Sequence, residues 1–259
     1  QSRVSRHLKI LTEAGLLSSR RDGLWVFYSS VKEGEGAAFL KAAMPFLDED
    51  AEMRADVEMA ARIIEDRALE HWDTLSREVL GGFDLAGAVC DTMPEGCDTS
   101  VDLGCGTGIV LERMRGRARQ IIGVDGSPRM LELSRRRLAG VEGEPEGVSL
   151  RIGELSHLPL RDCEADFASI NMVLHHLSNP ENALAEIRRV LRSGGLLVVA
   201  DFDRHTQERM RLDYGDLWLG FDEATMARLL HAASFEVVST TRYPVEQGLA
   251  LNLTLARRL

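Results

Sequence analysis

The stretch Val101-Asp102-Leu103-Gly104-Cys105-Gly106-Thr107-Gly108 sets three alternate glycines directly after an apolar run. Glycines at such a turn let the backbone swing sharply and let a ligand lie against it without a Cβ clash. Asp125, seventeen residues beyond Gly108, closes the next apolar run, where a carboxylate can accept both hydroxyls of a ribose. The pair implies a nucleoside ligand. A nicotinamide or flavin domain is the rival reading. Its fingerprint is GxGxxG, in which the third glycine packs a helix beneath a pyrophosphate, whereas the spacing here is DxGxGxG with no evident pyrophosphate cradle. His175 and His176 follow a later apolar run, Asp166 to Met172. That places them at the carboxyl edge of a sheet, where ligands bind, as candidate proton acceptors or as packing and capping residues.

The elements that must position these groups alternate. Strands are expected at Thr99 to Leu103, Gln120 to Val124, Val148 to Ile152, Asp166 to Met172 and Leu196 to Ala200, with helices from Ile109, from Ser127 and over Glu181 to Leu191 between them. A helix at Asp222 to Ala233 and strands near Glu236 to Thr241 and Ala250 to Ala256 complete the series. Such alternation predicts an α/β fold built on a doubly wound, mainly parallel seven-stranded sheet ending in an antiparallel hairpin. Ahead of it, Val57, Ala61, Ile64, Ala68, Trp72, Leu75 and Val79 keep helical spacing up to Gly81-Gly82. One long spacer or pairing helix is expected there, on the order of 35 to 40 Å. Residues 32–53, Gly-interrupted and with Pro45 after a short helical patch, read as connecting structure.

The chain has 259 residues, 44% apolar, enough for one full α/β domain and a smaller unit. Net charge is -10, yet residues 1–30 carry five Arg/Lys against two acids while residues 31–80 carry six against thirteen, so the two stretches should do different jobs. Cys90, Cys97, Cys105 and Cys163 form no CxxC pair. No metal site is legible, and reduced thiols in the cytoplasm are expected. No apolar run approaches the roughly 18 residues that a membrane-spanning helix requires.

Several separated motifs now converge: DLGCGTG at 102–108, Gly123 to Asp125, Gly153-Glu154, the VLHHL at Val173 to Leu177, and the LRSGG at Leu191 to Gly195. Over residues 81–259 the chain resembles the Rossmann-like class I S-adenosylmethionine-dependent methyltransferases, and among them the quinone-biosynthesis C-methyltransferases. The resemblance implies S-adenosylmethionine or S-adenosylhomocysteine as cofactor. It implies that the turn Gly104, Cys105, Gly106 to Gly108 receives the methionine part, with Asp102 near its amino group and Asn171 and Met172 as the floor. Asp125 with its neighbour Gly126 would hold the ribose, and Gly153, Glu154 or the Leu155 backbone would meet the adenine. Glu154 stands where Asp is usual, which puts a direct side-chain contact in doubt. Ile170-Asn171-Met172-Val173 departs from the Asn-Pro-Pro-Tyr pattern of enzymes that methylate nucleobase amines, so base methylation is disfavoured. Arsenite methyltransferases share the domain type, but the cysteines here lack a telling spacing. Methyl transfer requires little beyond positioning unless the nucleophile must lose a proton. His175 and His176 are the candidates for that task. Asp203, Arg204, His205, Tyr214 and Trp218 line a substrate pocket or a solvated loop, and Trp72 is a lid or a core residue.

At the other end, Val4, Leu8 and Leu11 give one apolar helical face opposite Ser2, Arg3, Ser5, Arg6 and Lys9. Gly15 is placed as a C-cap, and two short apolar stretches flank Asp22-Gly23, a hairpin signal. Residues 1–30 resemble the recognition helix and wing of ArsR-type winged-helix repressors, with residues 31–80 as a helical linker or dimerisation region. The resemblance implies a homodimer that meets DNA through Ser2, Arg3, Ser5, Arg6 and His7 in the major groove and through Arg20 and Arg21 on the phosphates. Starting inside a helix, the sequence is expected to lack the helices that complete that domain. Two functions are thereby in view: a transcriptional regulator that responds to the cofactor, and an active methyltransferase of a small molecule.

Overall fold

The computed structural model describes residues 3–22, 25–48, 76–139 and 147–259. Its contacts divide the chain into two units, Gln1–Ile64 and Glu65–Leu259. The division falls within the stretch expected to be a linker.

The first unit begins with helix α1 (Arg3–Glu13), followed by an antiparallel hairpin of β1 (Leu17–Asp22) and β2 (Trp25–Ser30). Gly15 ends α1 in the left-handed region at φ 71°, where its N–H donates to Thr12 O and the Leu16 N–H reaches back to Leu11 O. This bonding is the Schellman stop, and only glycine adopts its conformation without penalty. Helix α2 (Gly34–Asp48) runs through the Gly-interrupted stretch expected as connecting structure within a helical linker. Gly34 and Gly36 fall in its first turn, and the run Ala37 to Ala43 is rich in helix formers. The expected long helix lies mostly outside the described residues; its last turn, Ser76–Leu80, is π-helical, with Val79 and Leu80 buried.

The second unit holds a seven-stranded sheet of order β5-β4-β3-β6-β7-β9-β8. Its strands are β3 (Cys97–Leu103), β4 (Ala118–Asp125), β5 (Val148–Ile152), β6 (Ala165–Asn171), β7 (Leu191–Phe202), β8 (Phe235–Pro244) and β9 (Ala250–Arg258). The first five are parallel, and β9 runs antiparallel to both β7 and β8. Helices α3 (Leu85–Cys90), α4 (Ile109–Met114), α5 (Pro128–Ala139), α6 (Pro180–Val190), α7 (Arg209–Asp213) and α8 (Glu223–Ala232) complete the unit.

Alternation along the strands builds a core on each face of the sheet. Ile121, Val198 and Ala200 pack in one with Leu85, Val89, Leu111 and Met114. Ile122, Leu197 and Val199 pack in the other with Leu184, Ile187, Met226 and Leu230. Among the described residues, side chains cap the starts of several helices: Asp84 accepts from Gly87 N, Ser127 from Met130 N, Asn179 from Asn182 N and Asp222 from Thr225 N. The chain runs outward from β3 through β4 to β5 and then returns to lay β6 against the opposite side of β3. The crevice beyond the carboxyl ends of β3 and β6 is therefore the topological switch point at which ligands bind.

Candidate active site

Each glycine of the turn after β3 has its own physical reason. Gly104, Gly106 and Gly108 all sit at positive φ, at 69°, 51° and 82°. A Cβ on Gly104 would stand 2.6 Å from Val173 Cγ2, and one on Gly108 would stand 2.4 Å from Ser134 Oγ. These two are glycine so that the turn can pack on its neighbours. A Cβ on Gly106 would meet nothing within 4 Å, because it would point into open space. The turn is tied down by Gly104 N and Cys105 N, which both donate to Val124 O, and by Gly106 N, which donates to Asp125 Oδ2 at 2.8 Å. Asp125 Oδ1 accepts from Ser127 N at 2.9 Å, so this carboxylate joins the first turn to the start of α5. Burial raises its pKa against those hydrogen bonds.

Asp102 is 2% exposed, and its Oδ1 accepts from Ser169 Oγ at 2.6 Å and Asn171 Nδ2 at 3.0 Å. Burial pushes its carboxyl up to about 7, opposed by those two hydrogen bonds and aided by the charge of Asp125. Asn171 Oδ1 is buried and accepts no hydrogen bond. Met172 follows at φ 56° and is 2% exposed. A left-handed backbone at a side chain of this size costs on the order of 1 kcal/mol or more and persists where the surroundings hold it. Here its N–H donates to Ala200 O at 2.8 Å.

These groups surround a cleft of about 700 Å³. Asp102, Gly104, Cys105, Gly106, Asp125, Gly126, Gly153, Glu154, Leu155, Asn171 and Met172 all line it, as does His176. Gly108 does not, because it caps α4 beneath the turn. His175 does not either: it is 0% exposed, with Nδ1 2.7 Å from Asp201 Oδ1. Asp203, Arg204, His205, Tyr214 and Trp218 do not line the cleft. Asp203 instead holds Arg242 and Asn252, Arg204 pairs with Asp222, and Trp218 Nε1 donates to Leu177 O.

Leu80, Phe83 and Leu85 also line the cleft; the latter two fall in residues 83–97, where no periodicity marks an element in the sequence. Asp84, an N-cap three residues before Gly87, was the signal for α3. Ile109, Met130 and Leu177 extend the apolar wall. Burial raises the Cys90 and Cys97 thiols to about 11 and raises Cys105 further, so these thiols are poor nucleophiles and poor metal ligands.

The chemistry of this donor set fits S-adenosylmethionine. A buried carboxylate and an orphaned amide oxygen suit an ammonium group, Asp125 suits ribose hydroxyls, and the missing Cβ at Gly106 leaves room beside the turn.

Of the residues proposed for DNA, Arg6 and His7 are exposed on α1. Ser2 lies outside the described residues, as do the side chains of Arg3, Ser5, Arg20 and Arg21. The group at His71 to Asp73, with Trp72, also lies outside them.

Residues 101–199 match the family model described as a methyltransferase domain. The chain is 37% identical over 123 residues to an uncharacterised 37.1 kDa protein in a transposon of Streptomyces fradiae, covering 46% of this chain and 34% of that protein. It is 30% identical over 120 residues to the demethylmenaquinone methyltransferase of Lactobacillus johnsonii, covering 45% of this chain and 49% of that enzyme. The chain thus spans between about a third and a half of the length of these curated relatives. The fold is that of geranyl diphosphate C-methyltransferase from Streptomyces coelicolor A3(2), whose crystal structure contains Mg2+, geranyl diphosphate and S-adenosylhomocysteine. The TM-score is 0.60 at 15% identity, covering 67% of this chain and 76% of that one. Residues 101–199 thus match a methyltransferase-domain model, and the second unit has the Rossmann-like fold of class I methyltransferase structures.

Proposed function

We propose that this chain is an S-adenosylmethionine-dependent methyltransferase of a small, largely apolar acceptor. The observation that carries the reading is one cleft in which Asp102, Asn171 and Asp125 share the lining with an apolar wall of Leu80, Phe83, Leu85, Ile109 and Leu177. In this reading Asp102 and Asn171 receive the ammonium of the methionine part, and Asp125 accepts from the ribose. Gly126 and Gly153 line the cleft where Glu154 or the Leu155 backbone meets the adenine. When bound, the cofactor supplies a methyl group on a cationic sulfur, ready for displacement. The chain's own part is positioning: Met172 and Val173 form the floor, and the apolar wall holds the acceptor and excludes water. His176 is the imidazole that faces the acceptor space, and His175 lies fully buried behind it. The relatives named demethylmenaquinone methyltransferases make a hydroquinone ring carbon the first acceptor class to try. Transfer of a labelled methyl group to a panel of hydroquinones, phenols and carboxylic acids tests the proposal. Transfer that needs more cofactor in Asp125→Ala supports it; cofactor binding with no transfer to any acceptor counts against it.

A second reading, a regulator that responds to the same ligand, is favoured by the first unit. There a helix with exposed Arg6, His7 and Lys9 ends in a Schellman stop and leads into a two-stranded hairpin. Coupling requires that the ligand bind the DNA-competent and DNA-incompetent states differently. Operator affinity of the full-length protein that stays the same with and without S-adenosylhomocysteine would remove this reading.

A further inference from the structure

Next to the cleft, at His176, a second group of polar side chains converges with no part in holding the cofactor. His175, His176 and Asp216 each offer a ligand atom, and these atoms all lie within 4.8 Å of one another. Two of the three are almost wholly buried, His175 at 0% and Asp216 at 3% exposed.

The His175 ring is oriented from behind. Its Nδ1 lies 2.7 Å from Asp201 Oδ1, and the same carboxylate accepts from the backbone N–H groups of His175 and Phe202. An imidazole that donates Nδ1–H to a carboxylate presents its Nε2 lone pair forward, the arrangement that orients histidine ligands on metals. That Nε2 lies 3.1 Å from His176 Nε2 and 3.7 Å from Asp216 Oδ1.

Asp216 supplies the independent observation. Neither of its buried carboxylate oxygens accepts a hydrogen bond. Leaving a buried polar group unpaired is costly, and a carboxylate more so. A cation between the imidazoles and the carboxylate removes that cost. The spacing agrees: two imidazole nitrogens bound to one ion at ordinary metal–nitrogen distances stand about 2.9 to 3.4 Å apart, from octahedral to tetrahedral angles.

We propose that His175, His176 and Asp216 bind one divalent first-row transition ion, with Asp201 as the orienting carboxylate. Two imidazoles and one carboxylate favour zinc or iron(II) over magnesium or calcium, which take oxygen ligands. Because His176 also lines the cleft, the ion borders the space assigned above to the acceptor and is placed to bind an acceptor oxygen. That consequence for the acceptor rests on the methyltransferase reading; the metal site does not.

The test uses the full chain without an affinity tag, stripped with a chelator and titrated with Co2+ as a spectroscopic probe and with Zn2+ in competition. The expected result is one Co2+ per chain with visible ligand-field bands that Zn2+ displaces, and affinity weakened at least about tenfold in Asp216→Asn. S-Adenosylhomocysteine affinity, measured in the same samples, reports on the cofactor reading separately. Zn2+ should also raise the melting temperature of the wild-type protein, a measurement that needs no variant. Wild-type protein that binds neither ion stoichiometrically, or an Asp216→Asn protein that binds them equally well, overturns the proposal.

Discussion

Ser169 Oγ donates to Asp102 Oδ1 at 2.6 Å, between residues that the register of two adjacent parallel strands sets side by side. The bond joins β3 to β6 at the switch point. It holds a carboxylate that burial would otherwise keep neutral, and its consequence is a dependence on pH.

Burial pushes the Asp102 carboxyl up to about 7, well above its value in an unfolded chain. The folded state therefore holds a proton that the unfolded state has lost between about pH 4 and 7, so stability is full at the low end of that window and falls as pH rises through it. Binding of an ammonium group requires the ionised form. Cofactor affinity should rise about tenfold per unit up to pH 7 and then level off. Asp102→Asn should flatten this profile, bind S-adenosylhomocysteine more weakly, and melt at a higher temperature than wild type at pH 8. Calorimetric titration from pH 5.5 to 8.5, with thermal melts, checks all three; a flat wild-type profile contradicts the assignment.

Gly106→Ala and Gly108→Ala should separate binding from folding. At Gly108 the new Cβ meets Ser134, including its Cα at 3.2 Å, so this variant should lose stability, by about 1 to 3 kcal/mol. At Gly106 the Cβ enters open space, and the penalty is the left-handed backbone alone, about 1 kcal/mol. Gly106→Ala should nevertheless lose more cofactor affinity. Urea melts and ligand titrations on both variants give the comparison, and equal losses of affinity would argue against the placement of the ligand.

Cys163 is the exposed cysteine, while Cys90, Cys97 and Cys105 are buried. Native protein treated with iodoacetamide should gain one modification, at Cys163, and four only after denaturation. Intact-mass and peptide measurements decide this. Rapid labelling of Cys105 would mean that the glycine turn opens.

The sheet was legible because its strands are continuous apolar runs separated by helical periodicity, and both signals are local. Asp102, the glycine turn and Asp125 were legible as a site because the turn and the next strand's end lie within one βαβ unit. Other features depended on contacts distant in sequence. His175 and His176 are adjacent in the chain, yet one is sealed behind Asp201 and the other faces the cleft, a difference set by the β7 strand and the loop that carries Asp216. Helix α3 was hidden by its six-residue length, too short for periodicity to register. Helix α2 was legible only as a short patch, because its glycines and Pro45 read as breakers and obscure its full length.

Calorimetric titration of S-adenosylhomocysteine into wild-type protein and Asp125→Ala tests the central claim most directly. One site per chain is expected in the wild type. Loss of hydrogen bonds to a charged acceptor, about 1.5 to 3 kcal/mol, should weaken binding about 10- to 100-fold in the variant while its circular dichroism stays native. No binding to folded wild-type protein, or undiminished binding to Asp125→Ala, would contradict the assignment of this cleft.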